Sequence, residues 1–488
     1  MWREIMKNVL NHDIPFQKFF EEISRIPHGS FNERAISEYV INFAKKHNLG
    51  WDRDKMNNVL IKKPGQNGGE DAEPVLLQSH LDMVCVKVPG SNHNFETDPI
   101  PLLLDGDILT ADGTTLGADD GTGVASMLAL LEDSKTAQPP IEALFTVQEE
   151  VGMFGAKAFD YSKIKSRRMI GLDSGGENLS SVNAAGCGTI GITRNFEIST
   201  GFCNIITVTV NGLFGGHSGV CIDNERGNGI KIVVAIMRKL YREGVDFKLV
   251  QLDGGQASNA IPDACQVVFA TTKTEKANEI IEGFSKDLKK LYEYNEPNLA
   301  IKVESKNENV LSISQEDSLD IINMIYIMPH GRHHKSLTID DFVTVSSNVA
   351  IVSLEKGEFS MKVSTRAEDE FKHDIIEDRV LATANSFGFK AEVIERTPSW
   401  EYMSDSKMRE VAAPLMKKWV GKELEPEFVH GGLECGYFAN KIPGIDIFVT
   451  GCIGADVHTP KEWCDLASAD RIMNFLTGFL EVLAKDKK

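Results

Sequence analysis

The chain reads as an α/β protein in which one discontinuous domain is interrupted by an inserted α+β domain. Three features lead there. Between about residues 51 and 186, short apolar runs alternate with helical periodicity, the pattern of a sheet with helices on both faces. After Asp173 the runs alternate apolar with polar, as half-exposed antiparallel strands do. The last helical stretch carries Ile472, Phe475, Leu476, Phe479, Val482 and Leu483 on one stripe, the mark of a helix packed on a sheet. A length of 488 residues also exceeds what one core usually holds.

In order, residues 14–47 predict helices at Pro15–Ile26 and Asn32–Lys46, broken by Pro27-His28-Gly29-Ser30. Buried strands are expected at Pro74–Gln78, Ile141–Val147 and Met169–Leu172, with a helix at Gly123–Glu132. Ala184–Gly188 reads as a hinge leading into strands at Ile190–Ile198 and Ile205–Val210. Helices follow at 227–242, 274–295 and 315–327, with strands near 265–271, 343–354 and 358–365 and a helix–strand pair through 371–396. The chain returns to the first domain around Thr397-Pro398-Ser399-Trp400. The expected division is 1–186 plus 400–488, with 187–399 inserted.

The balance of 52 basic to 71 acidic residues gives a net charge of −19, which disfavours nucleic acid and anionic membranes as partners. No apolar run is long enough to span a bilayer, and Met1–Lys7 lacks the apolar core of a signal peptide. Eight cysteines are scattered without a Cys-x-x-Cys pair; in a chain of this size they read as reduced thiols. A cytoplasmic protein is expected.

Chemistry concentrates where predicted strands end, as ligands do in open α/β sheets. His80-Leu81-Asp82, Asp119-Asp120, Glu149-Glu150 and Asp173 each follow an apolar run, and His458 lies near the C-terminus. Each alone has an ordinary reading: a surface pair, a helix cap, solvated loop acids, a turn residue, a loop histidine. Together they supply two imidazoles and a surplus of carboxylates, the ligand set of a two-zinc hydrolytic site. Asp82, two residues beyond His80 along an extended backbone, is placed to accept from the imidazole. Of Glu149 and Glu150, one is suited to bind metal and the other to act as general base.

These segments resemble the co-catalytic zinc peptidase family that includes carboxypeptidase G and peptidase T, and most closely its aminoacyl-histidine dipeptidase branch. The matching motifs are His80-Leu81-Asp82-Met83-Val84, Thr115-Leu116-Gly117-Ala118-Asp119, Glu149-Glu150-Val151-Gly152-Met153, Gly215-Gly216-His217-Ser218-Gly219, Asn259-Ala260-Ile261-Pro262 and Gly432-Leu433-Glu434-Cys435-Gly436. The resemblance runs from Ile26-Pro27-His28 to the C-terminal helix. It implies a catalytic domain with a mixed sheet flanked by helices, and an inserted lid.

The resemblance further implies two zinc ions per subunit, with cobalt or manganese as substitutes. His80 and Asp173 would hold one and Glu150 and His458 the other, bridged by Asp119. Asp82 would orient His80, Glu149 would be the general base, and the lid's His217 would stabilise the oxyanion. Asn259, Arg366, Gly432 and Glu434 would contact substrate, and the Asp119-Asp120 peptide would be cis. The expected reaction is hydrolysis of unblocked dipeptides, Xaa-His included, by a metal-bridged hydroxide. The alternatives are an aminoacylase or carboxypeptidase acting on N-acyl amino acids and a catalytically silent metal-binding relative. A homodimer is expected. Asp120 in place of a common asparagine, Thr459 in place of serine, and Asp456-Val457 in place of Gly-Pro depart from the branch's pattern.

Overall fold

The structure is a computed structural model describing residues 8–174 and 176–486; the N-terminal Met1–Lys7 lies outside them. The chain divides into two compact units. One takes in residues up to Asn183, Glu401–Val429 and Glu434 onward, and the other takes in Ala184–Trp400 and His430–Leu433.

The first unit is built on a six-stranded sheet. Its order is Gly50–Arg53, Val59–Lys63, Ile141–Thr146, Val75–His80, Arg168–Gly171, Asp446–Val449. The first two pairings are antiparallel and the remaining three parallel, so the sheet is mixed. Val75–His80 and Ile141–Thr146 are buried at every position. Central parallel strands are covered on both faces, which is why they read as unbroken apolar runs rather than alternating ones. The helices Pro15–Ser24, Arg34–Lys46, Ala118–Glu132 and Leu466–Leu483 share one core with the sheet. At its C-terminal side Phe448, Phe475 and Phe479 pack with ring centroids 5.5–5.8 Å apart.

Register fixes what these strands present. His80 pairs with Thr146 and Gln78 with Gly171. The parallel strands therefore finish level, and their carboxyl ends bring His80, the Gln148–Glu150 turn and Asp173 to one edge.

The second unit holds a nine-stranded sheet in which every pairing is antiparallel. Ile206, Val208 and Val210 send alternate side chains into its core, and the helices Gly229–Arg242, Thr274–Leu291, Gln315–Ile327 and Glu370–Ser386 contribute to it.

The sequence pattern names neither Gly50–Arg53, Val59–Lys63 and Asp446–Val449 of the first sheet nor Gly331–Lys335, Ala300–Ser312 and Lys248–Gly254 of the second. Ala300–Ser312 pairs with Ser199–Asn211 along its whole length, yet its AIKVESKNENVLS is too charged for apolar alternation to register. Lys248–Gly254 is short and bulged. The unit boundary falls at Asn183 because Gly186 is already paired with Ala367. Residues 430–433 go with the second unit because Ala185 N–H donates to Gly431 O and Arg366 to His430 O. The cysteines with described side chains are all free thiols, Cys203 lying outside that set. Among the described residues no helix is long and apolar enough to cross a membrane.

Candidate metal centre

His80 ends a fully buried strand, so its ring has little freedom. Its Nδ1 lies 2.9 Å from the main-chain oxygen of Asp82, which fixes the tautomer and leaves Nε2 facing outward. The Asp82 carboxylate is farther from Nδ1, at 3.6 Å. That carboxylate instead accepts the N–H groups of Glu149 (3.0 Å) and Glu150 (3.3 Å) and the hydroxyl of Ser30 (2.8 Å). Asp82 thus holds His80 by its main chain and the Glu149-Glu150 turn by its side chain. Burial works to raise the Asp82 carboxyl, but these bonds and His80 outweigh it and leave it below its ordinary value.

Asp119 sits between the two imidazoles. Its Oδ1 is 3.1 Å from His80 Nε2 and its Oδ2 is 3.2 Å from His458 Nε2. The peptide between Asp119 and Asp120 is cis. Backbone angles at both residues depart from the helix that follows. Gly117, at φ +71°, makes the turn before them, and a Cβ there would lie 2.8 Å from Met83 Sδ, so left-handed backbone and a close approach both favour glycine. Asp120 is buried and points the other way: Oδ1 accepts Gly123 N–H at 3.1 Å and Oδ2 accepts His80 N–H at 3.3 Å. It caps the helix through the Gly123 N–H.

His458 is carried by an exposed loop at φ +63°. Its Nε2 is 2.9 Å from Glu150 Oε1, and its imidazole is pushed up to about 10 by hydrogen bonds to Asp119 and Glu150. Asp173 follows the strand Arg168–Gly171, and one of its oxygens lies within 4.8 Å of ligand atoms on both His80 and Asp119. Asp119, Glu150 and His458 form a second such group. Burial pushes Asp173 up to about 7, with the Asp119 charge adding to it. Glu149 is raised well above its ordinary value, chiefly by burial.

These residues fit a pair of divalent cations. Four acids (Asp119, Glu149, Glu150, Asp173) converge, and among the described residues no lysine or arginine forms an ion pair with any of them. Carboxylates crowded without cationic side chains need either protons or metal ions. Oxygen and imidazole donors suit zinc, cobalt or manganese.

Glu434 is buried below this edge. Its Oε2 accepts Gln78 Nε2 at 2.6 Å and Thr146 Oγ1 at 2.7 Å, while Oε1 has no partner among the described residues. Burial raises it to about 8. One further acid was not singled out from sequence. Glu462 accepts main-chain N–H groups from the turn that ends at Asp119, a contact that leaves no motif.

The remaining sequence candidates gather in the second unit. His217 lies on a two-residue strand paired with Ala260-Ile261. Its Nε2 is 3.4 Å from Arg366 Nη2, and burial with the Arg366 charge lowers its pKa. Asn259 offers its main-chain oxygen to Ser218 N–H at 2.7 Å. Arg366 is buried and reaches Cys187 Sγ, Ser218 Oγ and His430 O. Among the described residues no carboxylate pairs with it, and its Nε has no partner. Gly432 belongs to the same segment as His430.

Comparison with known proteins agrees with this geometry. The model of the peptidase family M20/M25/M40 matches residues 76–482. The cytosol non-specific dipeptidase of Escherichia coli (strain K12) is 30% identical over 479 residues, covering 96% of this chain and 98% of that protein. The crystal structure of aminoacylhistidine dipeptidase from Vibrio alginolyticus superposes with a TM-score of 0.86 at 29% identity, over 97% of both chains. Aminopeptidase PepT from Bacillus cereus ATCC 10987 shares the fold at a TM-score of 0.55 and 16% identity, covering 98% of this chain and 100% of that one. The chain therefore belongs to peptidase family M20/M25/M40 and is a metallopeptidase.

Proposed function

We propose that the protein is a di-zinc dipeptidase that hydrolyses unblocked dipeptides, Xaa-His peptides such as β-alanyl-histidine among them. The observation that carries this reading is Asp119, whose two carboxylate oxygens each face a different imidazole. His80 and Asp173 would hold one ion, and Glu150 and His458 the other. When bound, such a pair lowers the pKa of a water and polarises the scissile carbonyl.

The chain's own groups supply the rest. Glu149, anchored through its N–H to Asp82, takes the proton of the attacking water on its carboxylate and passes it to the leaving amine. Its burial supports that role, since a carboxyl raised toward neutrality can both accept and release a proton. Arg366 would bind the peptide carboxylate: it is a buried cation with no acid paired to it among the described residues and with its Nε unpartnered there, and its planar fork suits a carboxylate. Glu434, with Oε1 free, would meet the substrate's amino group. The second unit would serve as a lid that brings a neutral His217 to the developing oxyanion, with Asn259 and Gly432 lining the pocket.

The two relatives differ in breadth by name, one a non-specific dipeptidase and the other an aminoacylhistidine dipeptidase, which supports a preference wider than histidine. The test is a panel of Xaa-His dipeptides, other dipeptides and N-acetyl amino acids on protein of measured metal content. Turnover of the dipeptides and none of the N-acetyl compounds is expected; the reverse pattern makes it an aminoacylase. Metal-loaded protein inactive on the whole panel is the silent relative.

Arg366→Lys should raise KM for dipeptides with a free carboxylate by roughly 10–100-fold, the loss of one or two charge-assisted hydrogen bonds. C-terminally amidated substrates should lose far less, and equal loss on both would remove Arg366 from carboxylate recognition. We place the protein in the cytoplasm, which the cytosol dipeptidase relative and the free thiols among the described cysteines support. The homodimer rests on the resemblance and is tested by sedimentation mass.

A further inference from the structure

Glu462 follows His458 by four residues on the same loop. Its side chain is buried, at 2% exposure, and among the described residues it has no lysine or arginine partner. It accepts four consecutive main-chain N–H groups: Oε2 from Leu116 at 2.7 Å and Gly117 at 3.0 Å, Oε1 from Ala118 at 2.8 Å and Asp119 at 3.2 Å. An ionised carboxylate has about four acceptor sites, and here all of them serve one turn. That turn ends on Asp119. The loop that delivers Glu462 is itself tight, with Glu462 N–H donating to Thr459 O at 3.1 Å.

We propose that Glu462 is a positioning residue of the dinuclear centre. It clamps the Asp119 turn to the His458 loop and so sets the spacing of two ligands that one metal ion shares. This rests on the ligand assignment above and adds to it. His458 Nε2 and Asp119 Oδ2 stand 3.2 Å apart although each is carried by irregular backbone. The strand Trp463–Asp465 pairs with Ile108–Thr110 nearby, but among the described residues no regular strand or helix pairing reaches the two ligands themselves. The shared carboxylate links their segments, through four bonds on one side and the chain itself on the other.

Only a carboxylate suits the place. Glutamine would offer one acceptor oxygen, and its NH2 would confront N–H donors. Aspartate keeps the charge but draws the oxygens back by one methylene.

A buried acid that merely stabilises the fold is available for comparison in the same unit. Glu142 Oε2 accepts Lys165 N–H, Ser166 N–H and Ser166 Oγ, each at 2.9 Å. It lies near the start of Ile141–Thr146, away from the ligand edge.

The experiment uses full-length, metal-depleted wild type, Glu462→Gln, Glu462→Asp and Glu142→Gln. Each is titrated with Co(II) against a chromophoric chelator, and the visible Co(II) spectrum and the thermal unfolding of the metal-free protein are recorded. Wild type should take two ions. Glu462→Gln should bind at least one of them roughly 10–100-fold more weakly, the usual cost of losing a group that orients a ligand, and should alter the Co(II) bands. Glu462→Asp should do so to a smaller degree. Glu142→Gln should lower the unfolding temperature and leave both affinities and the spectrum unchanged.

Wild-type affinities and spectrum in Glu462→Gln would overturn the proposal, as would an equal loss of affinity in Glu142→Gln. If Glu462→Gln does not fold, Glu462→Asp decides: weakened binding supports the clamp and unchanged binding overturns it. Wild type that takes fewer than two ions brings down the dinuclear reading itself, and the clamp with it.

Discussion

Asp119→Ala is expected to abolish hydrolysis and to reduce metal content from two ions to one or none. Asp119 is the one residue that appears in both imidazole-facing contacts: Oδ1 toward His80 and Oδ2 toward His458. Removing it leaves His80 and Asp173 on one side and Glu150 and His458 on the other, two donors each, too few for a closed site on either side. Two cations also offset each other's repulsion through a shared anion, so the loss falls on both. A dinuclear centre lowers the barrier by several kcal/mol, so the fall in kcat/KM is on the order of 10³-fold or more. Fold should survive, because Asp119 is partly exposed and Glu462 still has the turn's N–H groups to accept. Metal analysis and dipeptide turnover on the same preparation check this. Two ions retained with wild-type turnover would remove Asp119 from the bridge.

The second large effect separates metal binding from chemistry. Glu149→Gln is expected to keep both ions and to lower kcat by about 10²–10⁴-fold, the usual contribution of a positioned general base. Glutamine is close in shape, and the bond that fixes this turn, Glu149 N–H to Asp82 Oδ1 at 3.0 Å, belongs to the main chain and survives. KM should change little, since the lost interaction is made in the transition state. A variant that loses metal along with activity would make Glu149 a ligand instead of a base; one that loses neither would leave the base unidentified.

The legible part of this site follows from how parallel sheets are buried. Val75–His80 and Ile141–Thr146 are covered on both faces, so their apolar runs are unbroken and their ends conspicuous. A polar residue just beyond such an end marks a sheet edge where ligands gather, and His80, Glu149, Glu150 and Asp173 were found on that signal. His458 was harder. It sits on an irregular loop at positive φ, with no strand end to mark it, and the family resemblance is what gives it a partner ligand.

What escaped reading was carried by the main chain. The sequence pairs Asp82 with His80 through its carboxylate, which lies 3.6 Å from Nδ1; it does not show the closer contact of the Asp82 carbonyl or the side chain's hold on the Glu149-Glu150 turn. Glu462 binds amides 343 to 346 residues away; N–H groups have no residue type, so no pattern of letters announces them. Residues 430–433 group with the second unit for the same reason, through Gly431 O and His430 O. The strand Ala300–Ser312 was lost to its own charge, its pairing resting on main-chain bonds along Ser199–Asn211.

The central claim is that two metal ions share Asp119, and anomalous scattering from a zinc-loaded crystal of the wild-type protein tests it most directly. The account predicts two peaks about 3.5–4 Å apart, one in contact with His80 and Asp173 and the other with Glu150 and His458, with one oxygen of Asp119 on each. A single peak, or a pair in which Asp119 touches only one ion, would contradict it.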